Sequence, residues 1–160
     1  MNIWMEIMGS FPEREGKYLI CPIHSSTKKN YPLYKILEEP KKGDIVFHYV
    51  LNKASKRESA ITSYSIVRHG CYVANDPDPL CISSPPFRKI DLLNNTPLAI
   101  PITYEMLLSH KEELQTIMEL ENISRLPFDK NFRLKQLYIA RIPHGFSEIF
   151  KKLSETNISI

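Results

Sequence analysis

Apolar and aromatic residues predict strands over most of the first hundred residues. NIWMEIM alternates apolar with polar side chains and predicts a first strand, whereas KYLICPI is a short apolar run that fits either a strand or a loop. The clearest element is IVFHYVL, which follows a Gly43-Asp44 turn and is rich in β-branched and aromatic residues. AITSYSIVRHGCYVA predicts a second, antiparallel strand beyond the polar loop NKASKRES, and FRKIDLL and TPLAIPI supply further strand material.

Helical patterns lie mainly in the last third of the chain. NYPLYKILEE fits one or two helical turns, and Thr103 can cap a helix over ITYEMLLSHKEELQTIMELE. QLYIARI predicts one more strand, and a last helix follows Pro143. The apolar faces of the two longer helices consist of Met106, Leu107, His110 and Leu114, and of Phe146, Ile149, Phe150 and Leu153.

The order of these elements, with strands early and helices late, predicts the α+β class. We expect a small, strongly curved mixed β-sheet or barrel flanked by helices, in a single domain over residues 1–160. The 160 residues are 42% hydrophobic with a mean hydropathy of −0.27, which excludes a disordered chain and a membrane protein. The N-terminus lacks the pattern of a signal peptide, so a cytoplasmic location is expected. Twelve prolines exclude long uninterrupted helices over most of the chain.

The sequence holds few signs of catalysis. Its three cysteines include no CxxC pair, so neither a disulfide framework nor a zinc site is expected. The motifs GxSxG, GxGxxG and the P-loop are absent. Asp76 and Asp78 of the NDPDP string lack the spacing of a calcium loop. A nucleophile–base pair of Cys71 and His69 stays open at the level of sequence. We therefore expect a non-enzymatic domain without a metal or cofactor.

Four segments occur in a recognisable order along the chain. They are the tryptophan-bearing NIWMEIM, the turn and strand PKKGDIVFHYV, the strand ITSYSIVRHGCYV, and the closing YIARIPHGFSEIFKKL. Together they resemble the EVE domain and its relative the YTH domain, both of the PUA-like superfamily. The resemblance spans nearly the whole chain and depends on the order and spacing of the segments.

The resemblance implies a reader of modified bases. EVE and YTH domains hold a flipped-out base in a pocket on the barrel face, between aromatic side chains. Stacking of the base ring contributes about 1–3 kcal/mol, and burial of a methyl group adds about 0.8 kcal/mol. Because one methyl group gives modest selectivity, polar groups must also read the base edge. EVE-like modules also resemble the N-terminal recognition part of McrBC-type restriction systems, in which a separate NTPase and nuclease cut the DNA.

Two segments depart from the family pattern. YLICPIHSSTKKN lacks the tryptophan that the family commonly carries there, and Phe87 is the only aromatic residue of NDPDPLCISSPPF. The resemblance therefore implies a pocket with fewer aromatic walls. For several of the residues assigned to this pocket, packing in the hydrophobic core is the alternative interpretation. The predicted base pocket comprises Trp4, Ile20, Cys21, Ser25, Tyr49, Ser63, Tyr64 and Phe87.

A second set of residues is expected to contact base edges or phosphates. Amide and guanidinium groups can read base edges with two hydrogen bonds, and cations in loops can bind phosphates. Solvation of the surface is the alternative, since the net charge is only +3. The predicted contacts are Lys28, Lys29, Arg57, Arg88, Asn131, Arg133, Lys135 and Gln136.

The expected partner is DNA that carries a modified base, with N6-methyladenine and 5-methylcytosine both open. NTPase and nuclease subunits or domains of a restriction system are the expected protein partners. An RNA reader of the same family is one alternative, and an ASCH-type enzyme acting on a small modified nucleoside is another. A protein-interaction module, whose basic loops only confer solubility, is the third.

Overall fold

The computed structural model describes residues 1–9, 11–24, 32–55, 58–123, 126–135 and 137–160. Short 3-10 helices span Pro12–Arg14 and Pro32–Glu38. The helices are α1 (Asn52–Ser55), α2 (Tyr104–Ser109), α3 (Lys111–Glu121) and α4 (Phe146–Ser154). The strands are β1 (Ile3–Met8), β2 (Tyr18–Pro22), β3 (Ile45–Val50), β4 (Ala60–Val67), β5 (Tyr72–Ala74), β6 (Phe87–Thr103) and β7 (Ile139–Ile142).

The strands form one curved, mixed sheet in the order β2-β6-β4-β3-β1-β7, and β5 pairs with β6. β1 and β3 are parallel, whereas the other described pairs are antiparallel. The register shifts within both the β3–β4 and the β4–β6 pairs. Such irregularities bend and twist a sheet. The predicted α+β class, with a strongly curved mixed sheet and flanking helices, is confirmed.

The two faces of the sheet carry separate hydrophobic clusters, because successive side chains of a strand point to opposite sides. On the helix face, Met5 and Phe47 pack in a cluster that includes Leu107 of α2, Leu114 of α3 and Phe150 of α4. On the opposite, inner face, alternate residues of the same strands pack in a smaller cluster with β2 and β6. The inner-face cluster includes Trp4, Leu19, Cys21, Val46, Val67 and Ile90.

Two predicted elements are each divided in the structure. The strand predicted over AITSYSIVRHGCYVA ends at Val67 and resumes at Tyr72, because β4 and β5 pair with different parts of β6. The helix predicted after Thr103 is interrupted at His110, where the backbone leaves the helical region with φ −113° and ψ 19°. The final helix after Pro143 is confirmed. None of the described helices is long and apolar enough to span a membrane.

Candidate functional site

A cavity of about 460 Å³ opens beside the first residues of β6. Ile20 of β2 and Tyr72 of β5 both lie opposite Lys89, on the two sides of β6. Phe87 and the segment 73–78 complete the wall. Ile20 and Phe87 were both predicted pocket residues, and they come from the two segments in which the family places its cage. The fold brings these segments together, although 67 positions separate the two residues.

Tyr72 presents a fixed aromatic ring at this cavity. Its hydroxyl donates to Asp91 Oδ1 at 3.0 Å, and its ring lies 5.4 Å from the ring of His69. His69 Nε2 contacts the other carboxylate oxygen of Asp91 at 3.1 Å. Burial and the bond to Asp91 raise the pKa of Tyr72 to about 12, so its hydroxyl stays a donor at neutral pH. The side chain is nevertheless 37% exposed, which leaves aromatic surface available to a ligand.

Lys89 and Asp78 give the cavity a charged wall. Lys89 Nζ lies 3.3 Å from Asp78 Oδ2 and 4.0 Å from the centre of the Tyr18 ring. Asp78 Oδ1 accepts bonds from the Tyr18 hydroxyl and from the backbone N–H of Leu80, both at 2.8 Å. Burial opposes ionisation of Asp78, but these hydrogen bonds and the charge of Lys89 outweigh it and lower the pKa of the carboxyl group. Among the described residues, no group of three or more potential metal ligands is present.

A buried polar network lies on the inner face of the sheet. Glu6 is fully buried, with Oε1 2.6 Å from Arg14 Nη1 and Oε2 2.8 Å from His48 Nδ1. His48 Nε2 contacts Ser65 Oγ at 2.8 Å. Burial opposes the charge on Glu6, but the bond from His48 and the charge of Arg14 prevail and lower its pKa. A buried ion is tolerated only when it is paired in this way.

Several predicted pocket residues lie away from the cavity. Tyr49 and Tyr64 pack in the helix-face core, and Trp4 is buried on the inner face, where its indole N–H donates to Asp44 Oδ2 at 2.9 Å. Cys21 is buried beside Trp4, and burial raises the pKa of its thiol to about 12. Ser63 donates to Glu15 Oε1 at 2.5 Å. None of these five side chains lines the cavity; Ser25 lies outside the described residues.

The predicted contact residues are not gathered at one place. Arg88 Nε donates to Glu38 Oε1 at 2.8 Å, whereas its buried Nη1 has no hydrogen-bond partner within the described part of the chain. Asn131 and Lys135 line a separate cavity of about 670 Å³ against α3, and Arg133 is exposed close to them in sequence. Lys28, Lys29, Arg57 and Gln136 lie outside the described residues.

Sequence reasoning left Tyr72 and Lys89 out of the predicted site. The alternation in FRKIDLL already assigns Phe87, Lys89 and Asp91 to one face of a strand, so Lys89 had a usable signal. For Tyr72, only the pairing of β5 with β6 shows that it faces the same cavity as Ile20.

Comparison with known proteins supports this architecture. No family model matches the sequence, and no curated protein matches it. The human THYN1 protein, solved in complex with 5-methylcytosine containing DNA, has 17% identity and a TM-score of 0.58, covering 99% of this chain and 100% of that chain. The N-terminal domain of Staphylothermus marinus McrB has 13% identity and a TM-score of 0.53, and the match covers 97% of this chain and 94% of that domain. A Pseudomonas putida protein has 15% identity and a TM-score of 0.60, and the match covers 95% of this chain and 99% of that protein.

At such low identity, the similarity concerns the fold. It extends over almost the full length of this chain and of each of these structures. The chain therefore has an EVE-like fold, in agreement with the resemblance found in its sequence.

Proposed function

We propose that this protein is a DNA-binding domain that recognises a modified base by holding it, flipped out of the helix, in the cavity beside β6. The observation that carries the proposal is the cavity itself, which Ile20, Phe87 and the fixed ring of Tyr72 line together. The shared fold of the THYN1 protein, whose structure contains 5-methylcytosine DNA, supports the same assignment.

The physical requirements of base recognition agree with this cavity. Its volume, about 460 Å³, lies within the range of sites for small ligands. Stacking on Tyr72 would contribute about 1–3 kcal/mol, and contact with Ile20 would favour a methylated base over its unmodified form. Extraction of the base from a duplex costs a few kcal/mol. Stacking and phosphate contacts together must offset that cost.

Polar groups around the cavity are suited to reading a base edge. Asn75 and Asp76 line the cavity and are exposed, so their side chains offer donors and acceptors to a bound base. Asp78 and Lys89 already bond to each other and to Tyr18, so we assign them to the fixed frame of the site. Cationic side chains, Lys28 and Lys29 first among them, are proposed to hold the flanking phosphates.

We propose that the domain serves recognition alone and that other subunits or domains perform any cleavage. The shared fold of the McrB N-terminal domain supports a role beside an NTPase and a nuclease of a restriction system. Binding of modified DNA is the primary proposal, because the cavity supports it directly. The role in restriction is secondary and depends on that binding.

Substitution of Tyr72 tests the cavity as the base site. Tyr72→Ala removes the stacking surface, so affinity for a duplex with a modified base should fall by about 1–3 kcal/mol, or roughly 5- to 150-fold. Tyr72→Phe keeps the ring and loses only the bond to Asp91, so it should retain most of the wild-type affinity. Fluorescence polarisation with a labelled duplex measures both variants.

Tyr104→Ala is the matched control, because Tyr104 is a partly buried tyrosine on the helix face. It should leave affinity for the modified duplex unchanged in folded protein. If Tyr72→Ala binds the modified duplex as tightly as the wild type does, this cavity is not the base site.

A further inference from the structure

The two strands at the ends of the sheet, β2 and β7, are connected on the inner face by a side chain. Tyr138 directly precedes β7, and its carbonyl accepts a bond from the Ile7 N–H at 3.0 Å, which attaches it to β1. Its phenol oxygen accepts a bond from the backbone N–H of Ile20 in β2 at 2.6 Å. N–H groups along an edge strand otherwise lack a strand partner. The phenol thus takes the place of a neighbouring strand at Ile20.

Arg14 adds a second attachment to the same edge. Its Nη1 lies 3.3 Å from the carbonyl oxygen of Tyr18, 2.9 Å from the Tyr138 phenol oxygen and 2.6 Å from Glu6 Oε1. Tyr18 and Ile20 are two residues apart, so their backbone groups point to the same edge of β2. We call Glu6, Arg14 and Tyr138 the edge clamp, because together they hold this edge against the centre of the sheet.

The edge clamp keeps its charge state over the neutral pH range. The hydrogen bond from His48 and the charge of Arg14 lower the pKa of Glu6, and the adjacent Tyr138 and Glu6 raise that of Arg14, although burial opposes both changes. Burial and the adjacent Glu6 carboxylate raise the pKa of Tyr138 well above its ordinary value. The carboxylate, the guanidinium and the neutral phenol therefore persist together, and the clamp is a constant feature of the fold.

We propose that Tyr138 is a positioning residue of the base pocket, which fixes through the N–H of Ile20 the wall that Ile20 contributes to the cavity. This inference rests on the proposed function. Ile20 is the residue through which β2 lines the cavity, and it is held between β6 on one side and the edge clamp on the other. Without the clamp, the Ile20 side chain would be free to shift relative to Tyr72 and Phe87.

Tyr138→Phe tests the proposal, because it removes the phenol oxygen and keeps the ring. In this variant, amide hydrogen exchange at Ile20, followed by NMR, should accelerate by about tenfold or more. The preference for a modified over an unmodified duplex should fall about threefold to tenfold, the equivalent of the one hydrogen bond that holds the Ile20 N–H. The variant also loses the contact between the phenol oxygen and Arg14. The salt dependence of binding should stay the same, since the phosphate contacts are unchanged.

Tyr104→Phe is the matched control. It also removes a phenol oxygen, but on the helix face, where that oxygen makes one bond, of 2.6 Å, to the Phe132 carbonyl. It should change neither Ile20 exchange nor the preference for the modified duplex. In the wild type, the Ile20 amide should be protected from hydrogen exchange nearly as well as the Leu19 amide. This measurement needs no variant.

The outcomes separate this inference from the proposed function. If the wild type prefers a modified duplex but Tyr138→Phe retains that preference and the slow Ile20 exchange, the positioning role is wrong. A wild type that binds modified and unmodified duplexes equally contradicts the proposed function, and the role in selectivity with it. In that case, the rate of amide hydrogen exchange at Ile20 still shows whether the edge clamp holds β2.

Discussion

At the scale of single residues, two glycines in the left-handed region show how a missing side chain shapes the inner face. Gly16 has φ +72° and Gly43 has φ +89°. A Cβ on Gly16 would lie 2.2 Å from Asn95 Cγ, whereas a Cβ on Gly43 would meet nothing within 4 Å. Asn95 Oδ1 accepts a bond from Ser65, which contacts His48 of the buried network. Gly16 therefore makes room for a side chain that supports this network.

We expect Gly16→Ala to destabilise the protein more than Gly43→Ala does. Both substitutions place alanine in a left-handed conformation, at a cost of about 1–2 kcal/mol. Gly16→Ala also forces Asn95 away, which adds about 1–3 kcal/mol of overpacking. Urea denaturation measures the free energy of unfolding of both variants. Equal losses would contradict the close contact between Gly16 and Asn95.

Residue identity predicts the site only in part. Ile20 and Phe87, which both line the cavity, were predicted because the family resemblance places a base pocket in their segments. Trp4, Tyr49 and Tyr64 were predicted with them, but an aromatic residue on a strand has the same local pattern in a core as in a pocket. The edge clamp had no comparable signal, because the burial of its charged groups depends on partners distant in sequence.

At the scale of elements, local patterns located the strands and helices, and long-range pairing decided where several of them end. Pro22 within KYLICPI fits an edge strand, where β2 lies, since proline cannot donate to a neighbouring strand. The break between Val67 and Tyr72 follows from pairing with different parts of β6. Nothing in the local sequence specifies that pairing.

Thr103 was predicted to cap a helix, and the structure confirms it. Its hydroxyl accepts a bond from the Met106 N–H at 3.2 Å at the start of α2. Thr103→Ala should lower the free energy of unfolding by about 1 kcal/mol. Thr116→Ala is the control, because Thr116 is exposed within α3 and its hydroxyl bonds to the Glu112 carbonyl; its effect should stay within about 0.5 kcal/mol. If the two variants have similar midpoints of urea unfolding, the capping role of Thr103 is contradicted.

At the scale of the whole molecule, the curved sheet brings distant segments to one cavity. β6 is 17 residues long and pairs with β2 and β5 at its start and with β4 further along. Ile20 and Tyr72 therefore face each other across β6, while the edge clamp attaches β2 to the opposite end of the sheet. The helices pack against β1, β3 and β4, and the second cavity lies beside α3. The proposed base site thus lies at one end of β6.

The most direct test of base recognition is equilibrium binding of the wild type to matched duplexes at two salt concentrations. The duplexes differ by a single methyl group, at N6 of an adenine or at C5 of a cytosine. We expect one methylated duplex to bind about fourfold or more tightly than its unmodified counterpart, the equivalent of one buried methyl group. Added salt should weaken binding to every duplex and preserve this ratio. Equal affinity for all duplexes, or no binding at either salt concentration, would contradict the proposed function.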